Sequence, residues 1–268
     1  MTRPTSRRAR SRPPLPWIVL GALGAALFVV PLLGLLARTP WSELTTLLGG
    51  PVVVDALRLS AAASVSATLI SAVLGIPLAW LLARVPFPGR GLVRGIVTLP
   101  LVLPPVVGGA ALLFALGRRG VIGGPLADAT GLVLPFSLWG VILATTFVSM
   151  PFLVITVEGA LRSVDPRYED AAATLGARPW TVIRRVTLPL VAPSVVSGLV
   201  LTWARAFGEF GATVTFAGNL QGRTQTLPLA VFVALESDRD TAVAISLLMV
   251  GVALLVLVLL RDRWWGRP

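Results

Sequence analysis

Six long apolar runs alternate with short polar segments along the 268 residues. They extend from about Trp17 to Ala37, Val54 to Ala83, Leu92 to Leu116, Pro135 to Val157, Leu190 to Phe216 and Thr241 to Leu260. Each is close to or beyond the roughly 20 residues an α-helix needs to cross a bilayer. The pattern predicts an all-α, polytopic membrane protein with about six transmembrane helices. The first run is too long for the roughly 7–15-residue core of a signal peptide, so it reads as a retained span. The second exceeds one crossing and must tilt or protrude. A short amphipathic segment, Trp41 to Leu48, precedes it at the outer interface. Pro100, Pro104 and Pro105 lie in the third run, where missing backbone donors bend or interrupt a helix.

Composition agrees with that reading. The chain is 55% hydrophobic and 13% charged, against about 25% charged for an ordinary soluble domain. Its net charge of +11 is distributed as a membrane orientation signal and does not point to nucleic acid. Sixteen of the 23 basic residues, all of them arginine, fall in the N-terminal tail, the loops after the second and fourth spans, and the C-terminus. Six lie on the other side: Arg38, Arg58, Arg118, Arg119, Arg223 and Arg239. The positive-inside rule then places both termini in the cytoplasm, which an even number of spans requires. Residues 1–16 are expected as a disordered basic cytoplasmic tail and 17–261 as the transmembrane domain, with a cytoplasmic loop at 162–189. Residues 262–268 are expected as a short cytoplasmic tail.

The missing residue types exclude much chemistry. Without Cys or His there is no usual zinc or haem ligand set and no Ser-His or Cys-His nucleophile pair, and no metal site is expected. Without Lys there is no G-x-x-x-x-G-K-[ST] phosphate loop, so any ATP that drives the protein is bound by another subunit. A carboxylate enzyme needs paired acids converging on a site, and most acids here lie in loops or, like Glu158, at helix ends. A secondary transporter would show internal repeats and several intramembrane carboxylates. No repeat is evident, and Glu209 stands nearly alone within the apolar runs.

The longest cytoplasmic loop carries the most information. Asp165 followed by Pro166 is a helix start, a capping carboxylate before a proline at the first helical position. Strong helix formers follow from Tyr168 to Leu175, and Gly176 suits the left-handed residue that ends a helix. A second short helix is expected from Pro179 to Val186, with Leu188-Pro189 closing it and opening the next span. Such a helix-turn-helix is a compact knob suited to a partner's groove; it is equally an ordinary loop with a solvated charged face.

Within this loop, Asp170-Ala171-Ala172, three residues, Gly176, nine residues and then Val186-Thr187-Leu188-Pro189 resemble the E-A-A-x3-G-x9-I-x-L-P loop of ABC importer permeases. Asp170 stands for Glu and Val186 for Ile. The segments from Leu81 (LLARVPFPGRGLVRGIVTLPLVLPPVVGG) and from Arg205 (RAFGEFGATVTFAGNLQGRTQTLPLAVF) are similar to the sulfate/molybdate/tungstate group, the second more to its molybdate branch. The resemblance covers the chain from about Leu57 to the last span. It implies a type I-like permease fold in a prokaryotic inner membrane, and ATPase coupling through Asp165, Glu169, Asp170, Ala171, Ala172, Gly176, Val186, Leu188 and Pro189. It also implies a second permease copy, two cytoplasmic ATPase subunits that use ATP and magnesium, and an extracytoplasmic oxyanion-binding protein. No cofactor is expected on this chain itself. The implied cargo is molybdate or tungstate; the alternative is a sulfate permease working in a heterodimer.

The fifth run adds a candidate passage. Arg205 and Glu209 stand four apart and so share one helix face, roughly 20–30 Å along the helix from Leu190 at 1.5 Å per residue. They either line the passage or neutralise one another to fix the bundle. Gly208 and Gly211 permit close contact or a gate bend. Thr213 and Thr215 offer hydroxyls or bond back to their own helix, and Asn219 completes the set. Gly91-x-x-x-Gly95 is a weak packing signal. Glu236, Asp238 and Asp240 form an outer acidic cluster, open either to a docking partner or to solvent.

Overall fold

The computed structural model describes residues 14–264. Most of the expected basic tail, residues 1–13, lies outside the described residues, as do residues 265–268. Thirteen α-helices are formed and no strand occurs among the described residues. The long ones are α1 (Leu15–Arg38), α3 (Pro51–Arg84), α7 (Leu138–Ser163), α10 (Leu188–Phe207) and α13 (Arg239–Trp264). The short ones are α2 (Leu44–Leu48), α4 (Arg90–Thr98), α5 (Pro105–Leu116), α6 (Gly123–Thr130), α8 (Arg167–Thr174), α9 (Pro179–Val182), α11 (Gly211–Phe216) and α12 (Leu227–Ser237). Five helices are long and apolar enough to cross a membrane, or six if α4 and α5 count as one broken span.

The bundle is organised around α7, which packs against both α3 and α10. Without a hydrophobic drive between helices in lipid, close packing of small residues has to supply the cohesion. The buried face of α3 is built for it: Ala56, Ser60, Ala63, Ser64, Ala67, Ser71, Gly75 and Ala79 recur every three or four residues. A β-carbon on Gly75 would sit 3.3 Å from Met150, and one on Gly198 of α10 only 2.9 Å from Leu153. Larger side chains at either position would part the helices. Leu82, Leu153, Val157, Leu161 and Val191 close the core toward the α8 end; Val53, Phe207, Leu227 and Ile245 close it at the other. Helix α1 lies against α13 and buries none of its side chains.

Two of the expected spans are not single helices. The third turns through 117° between α4 and α5. Pro104 is held extended (ψ 132°) ahead of Pro105, as the residue before a proline must be, and a 3-10 turn at Leu99–Leu101 precedes it. Helix α5 alone spans only about 18 Å at 1.5 Å per residue. It passes Phe147 at Gly108 and carries Leu112, Leu113 and Leu116 into a cluster with Ala144, Leu143 and Leu134, toward the start of α7 and away from α8. The fifth span, expected from Leu190 to Phe216, breaks at Gly208–Phe210, and α11 restarts from Gly211. At its other end it begins earlier than expected, as one apolar helical stretch from Pro179. Leu188-Pro189 therefore does not close the second loop helix. A π turn at Ile183–Thr187 carries the chain through, with the Leu188 N–H bonded to the Ile183 carbonyl. The wider turn accommodates a proline that would otherwise crowd the carbonyl four residues back.

Candidate functional site

The loop at 162–189 forms a projecting helix-turn-helix. Asp165 accepts a hydrogen bond from the Arg167 N–H at 2.9 Å, capping α8 at its first turn. Gly176 has φ +83°, the left-handed conformation that reverses the chain toward α9, and nothing lies within 4 Å of where its β-carbon would be. The outward face carries Asp170 and Ala171, and α8 buries none of its residues. Three large side chains stand in the open around it: Leu175 at 89% exposure, Trp180 and Tyr168. The knob thus carries an apolar tip on an otherwise polar surface. Val186 and Leu188 are half-buried and Pro189 is exposed, so the end of the motif serves the base of the knob and leaves the tip to α8.

Ionic clamps hold that base. Glu169 points inward, and its Oε1 accepts from Arg84 at 3.1 Å and from the Thr187 hydroxyl at 2.9 Å. Arg84 also donates to the Val164 carbonyl at 3.3 Å, where the chain leaves α7. Glu158, 6% exposed, receives Arg94 at 2.6 Å and Arg162 at 2.7 Å. Together these bonds join the ends of α3 and α7 to α4, α8 and the π turn.

The second group gathers at the break between α10 and α11, toward the opposite end. Glu209 is 2% exposed and lies beyond the end of α10, so it does not share a regular helix face with Arg205 as expected. The chain turn nevertheless brings the two into an ion pair, in which Arg205 keeps 28% of its side chain exposed. The other carboxylate oxygen accepts the Ala212 N–H at 2.7 Å and so caps α11. Gly211 makes the close approach foreseen for it: a β-carbon there would be 2.9 Å from Pro105. Gly208 is exposed and makes no such contact. Thr215 bonds back to the Gly211 carbonyl at 2.8 Å, Thr213 is fully buried, and Asn219 is half-buried. On the facing helix, a β-carbon on Gly109 would meet the Ala212 carbonyl at 2.8 Å, which locks α5 to α11. Gly91 and Gly95 have no neighbour within 4 Å, so that glycine pair packs nothing.

Comparison with known proteins decides what this assembly is. Residues 75–265 match the family described as the binding-protein-dependent transport system inner membrane component. The chain belongs to this family. It is 51% identical to the molybdenum transport system permease protein ModB of Mycobacterium bovis, over 90% of this chain and 92% of the relative. It is 43% identical to ModB of Escherichia coli K12 (80% and 93%) and 35% identical to the sulfate transport system permease protein CysT of the same organism (92% of each). In fold it is similar to a chain of a bacterial alginate ABC transporter solved in complex with an alginate pentasaccharide-bound periplasmic protein. The TM-score there is 0.74 at 20% identity, over 93% and 94% of the two chains.

In this permease the residues that anchor the two clusters leave little sign in the sequence. Arg84, Arg94 and Thr187 were not singled out. Their signal is faint, arginines in the loops and short helices beside the spans with nothing in the spacing to pair them with Glu158 or Glu169. The acids Glu236, Asp238 and Asp240 are all exposed. Asp238 caps α13, and hydrogen bonds from the Thr241 hydroxyl and the Thr241 and Asp240 N–H groups hold its carboxyl below the usual carboxylate range.

Proposed function

We propose that the chain is the membrane-spanning permease of an ATP-driven importer for molybdate, with tungstate, a tetrahedral dianion of similar size and charge, sharing the route. Both termini and α8 face the cytoplasm, in line with the sixteen-to-six arginine bias. Two copies enclose the passage, two ATPase subunits take up ATP and magnesium, and an extracytoplasmic binding protein delivers the oxyanion. The observation that carries this reading is the exposed α8 knob with its apolar tip, presented on an ABC-permease fold. Closure of the ATPases moves the two knobs together, and the clamps at their base pass the motion to α3, α7 and α10.

The half-helices α5 and α11, joined at Gly109 and Gly211, form the gate. Glu209 gives both carboxylate oxygens to the protein, so the gate does not present a free carboxylate to a dianion. Identity to the molybdenum permeases exceeds that to the sulfate permease, which supports molybdate over sulfate. The test is uptake of radiolabelled molybdate by vesicles holding this chain with its ATPase and binding protein. ATP-dependent uptake that excess sulfate leaves intact is expected. Uptake abolished by sulfate, with sulfate carried instead, would make the chain half of a sulfate permease.

A further inference from the structure

We infer that Glu169 is a positioning residue: its carboxylate, clamped by Arg84 and Thr187, makes α8 a lever fixed to α3 and α10, while docking falls to its neighbours. This rests on the coupling role given to α8 above. The two adjacent acids of the loop face opposite ways. Asp170 is exposed and forms no ion pair among the described residues, so it is available to a partner. Glu169 keeps only 20% of its side chain accessible and directs one oxygen to two donors from distant elements.

Helix α8 has little else to hold it. It is eight residues long, far below the roughly 12–15 at which an isolated helix becomes even marginal in water, and it buries no residue. Turns bound it on both sides, Val164–Pro166 at one end and the left-handed Gly176 at the other. The Glu169 clamp ties this short helix to the ends of α3 and α10, so that it moves with them. Arg84 closes the end of α3 and touches the exit of α7, while Thr187, 1% exposed, sits where the π turn enters α10. A push on the tip therefore reaches three membrane helices through one carboxylate. Without it, the push has only the turns at either end of α8 to carry it.

The test uses the full transporter in vesicles with the variants Glu169→Ala, Arg84→Ala and their combination. The ATPase subunits should co-purify in wild-type stoichiometry, while molybdate taken up per ATP hydrolysed falls on the order of fivefold or more, the low end of ordinary allosteric coupling. The double variant should be no worse than either single one, and Glu169→Gln, which keeps the Thr187 hydrogen bond, should be milder. Loss of ATPase binding in Glu169→Ala, or uptake and hydrolysis falling in proportion, would overturn the lever, as would additive losses. A second readout does not need transport. The chain has no cysteine, so a spin label on Leu175→Cys reports α8 alone. Its motion should increase in both single variants and no further in the double; unchanged spectra would refute the clamp. Absence of wild-type uptake would count against the proposed function, and the spectra would still decide the clamp.

Discussion

Arg205 and Glu209 pair across the end of a helix. Four residues apart, they would meet as a weak surface pair on a continuous helix, worth about 0.3–0.5 kcal/mol. Here Glu209 lies past the end of α10, buried, and caps the next helix while it neutralises the arginine. Removing Arg205 would strand a buried carboxylate, which costs roughly 3–5 kcal/mol. Arg205→Ala should therefore lower thermal stability and uptake sharply, whereas Arg118→Ala, at an exposed turn, should change either little. Equal effects of the two substitutions on melting temperature and uptake would remove the special role of the pair. The residues themselves were visible in the sequence, since charge inside an apolar run is costly and draws attention. Their geometry was not: Gly208 and Gly211 permit a bend, but nothing in the run from Leu190 to Phe216 says that the bend buries Glu209 as the cap of a new helix.

At the scale of elements, legibility followed the strength of the local chemistry. The bend at Pro104–Pro105 and the reversal at Gly176 follow from residues whose backbone preferences are strong. Helix α12 went unseen because its 11 residues, apolar as far as Leu235, are too few to span and too apolar to mark a loop. The π turn was hidden for a different reason: Leu188-Pro189 reads as a helix boundary unless the preceding turn widens to admit it. Gly176 tests the element it terminates. A side chain there has free space but the wrong backbone, at a cost of roughly 1–2 kcal/mol. Gly176→Val should leave membrane insertion intact and misdirect α8 and Leu175, so that ATP is hydrolysed with uptake lost. Wild-type uptake in that variant would disconnect the knob from coupling.

For the whole molecule, the open question of orientation reduces to which end of the bundle meets the cytoplasm. The structure makes that question sharp, because the two ends differ in kind. One end holds α8, the Glu169 and Glu158 clamps and most of the loop arginines. The other holds the α5–α6 turn with Arg118 and Arg119, and a cavity of about 370 Å³ among α2, α3, α12 and α13. Arg119 follows α5 toward the start of α7, while α8 follows the end of α7, so the two stand at opposite ends of the bundle and are expected on opposite sides of the membrane. A single cysteine at Arg119, in a chain that has none of its own, should react with an impermeant thiol reagent added outside intact cells. The same cysteine placed at Leu175 should react only after the cells are opened. Reversal of that pattern would put the knob outside, away from any ATPase, and would dismantle the transport cycle while leaving the fold untouched.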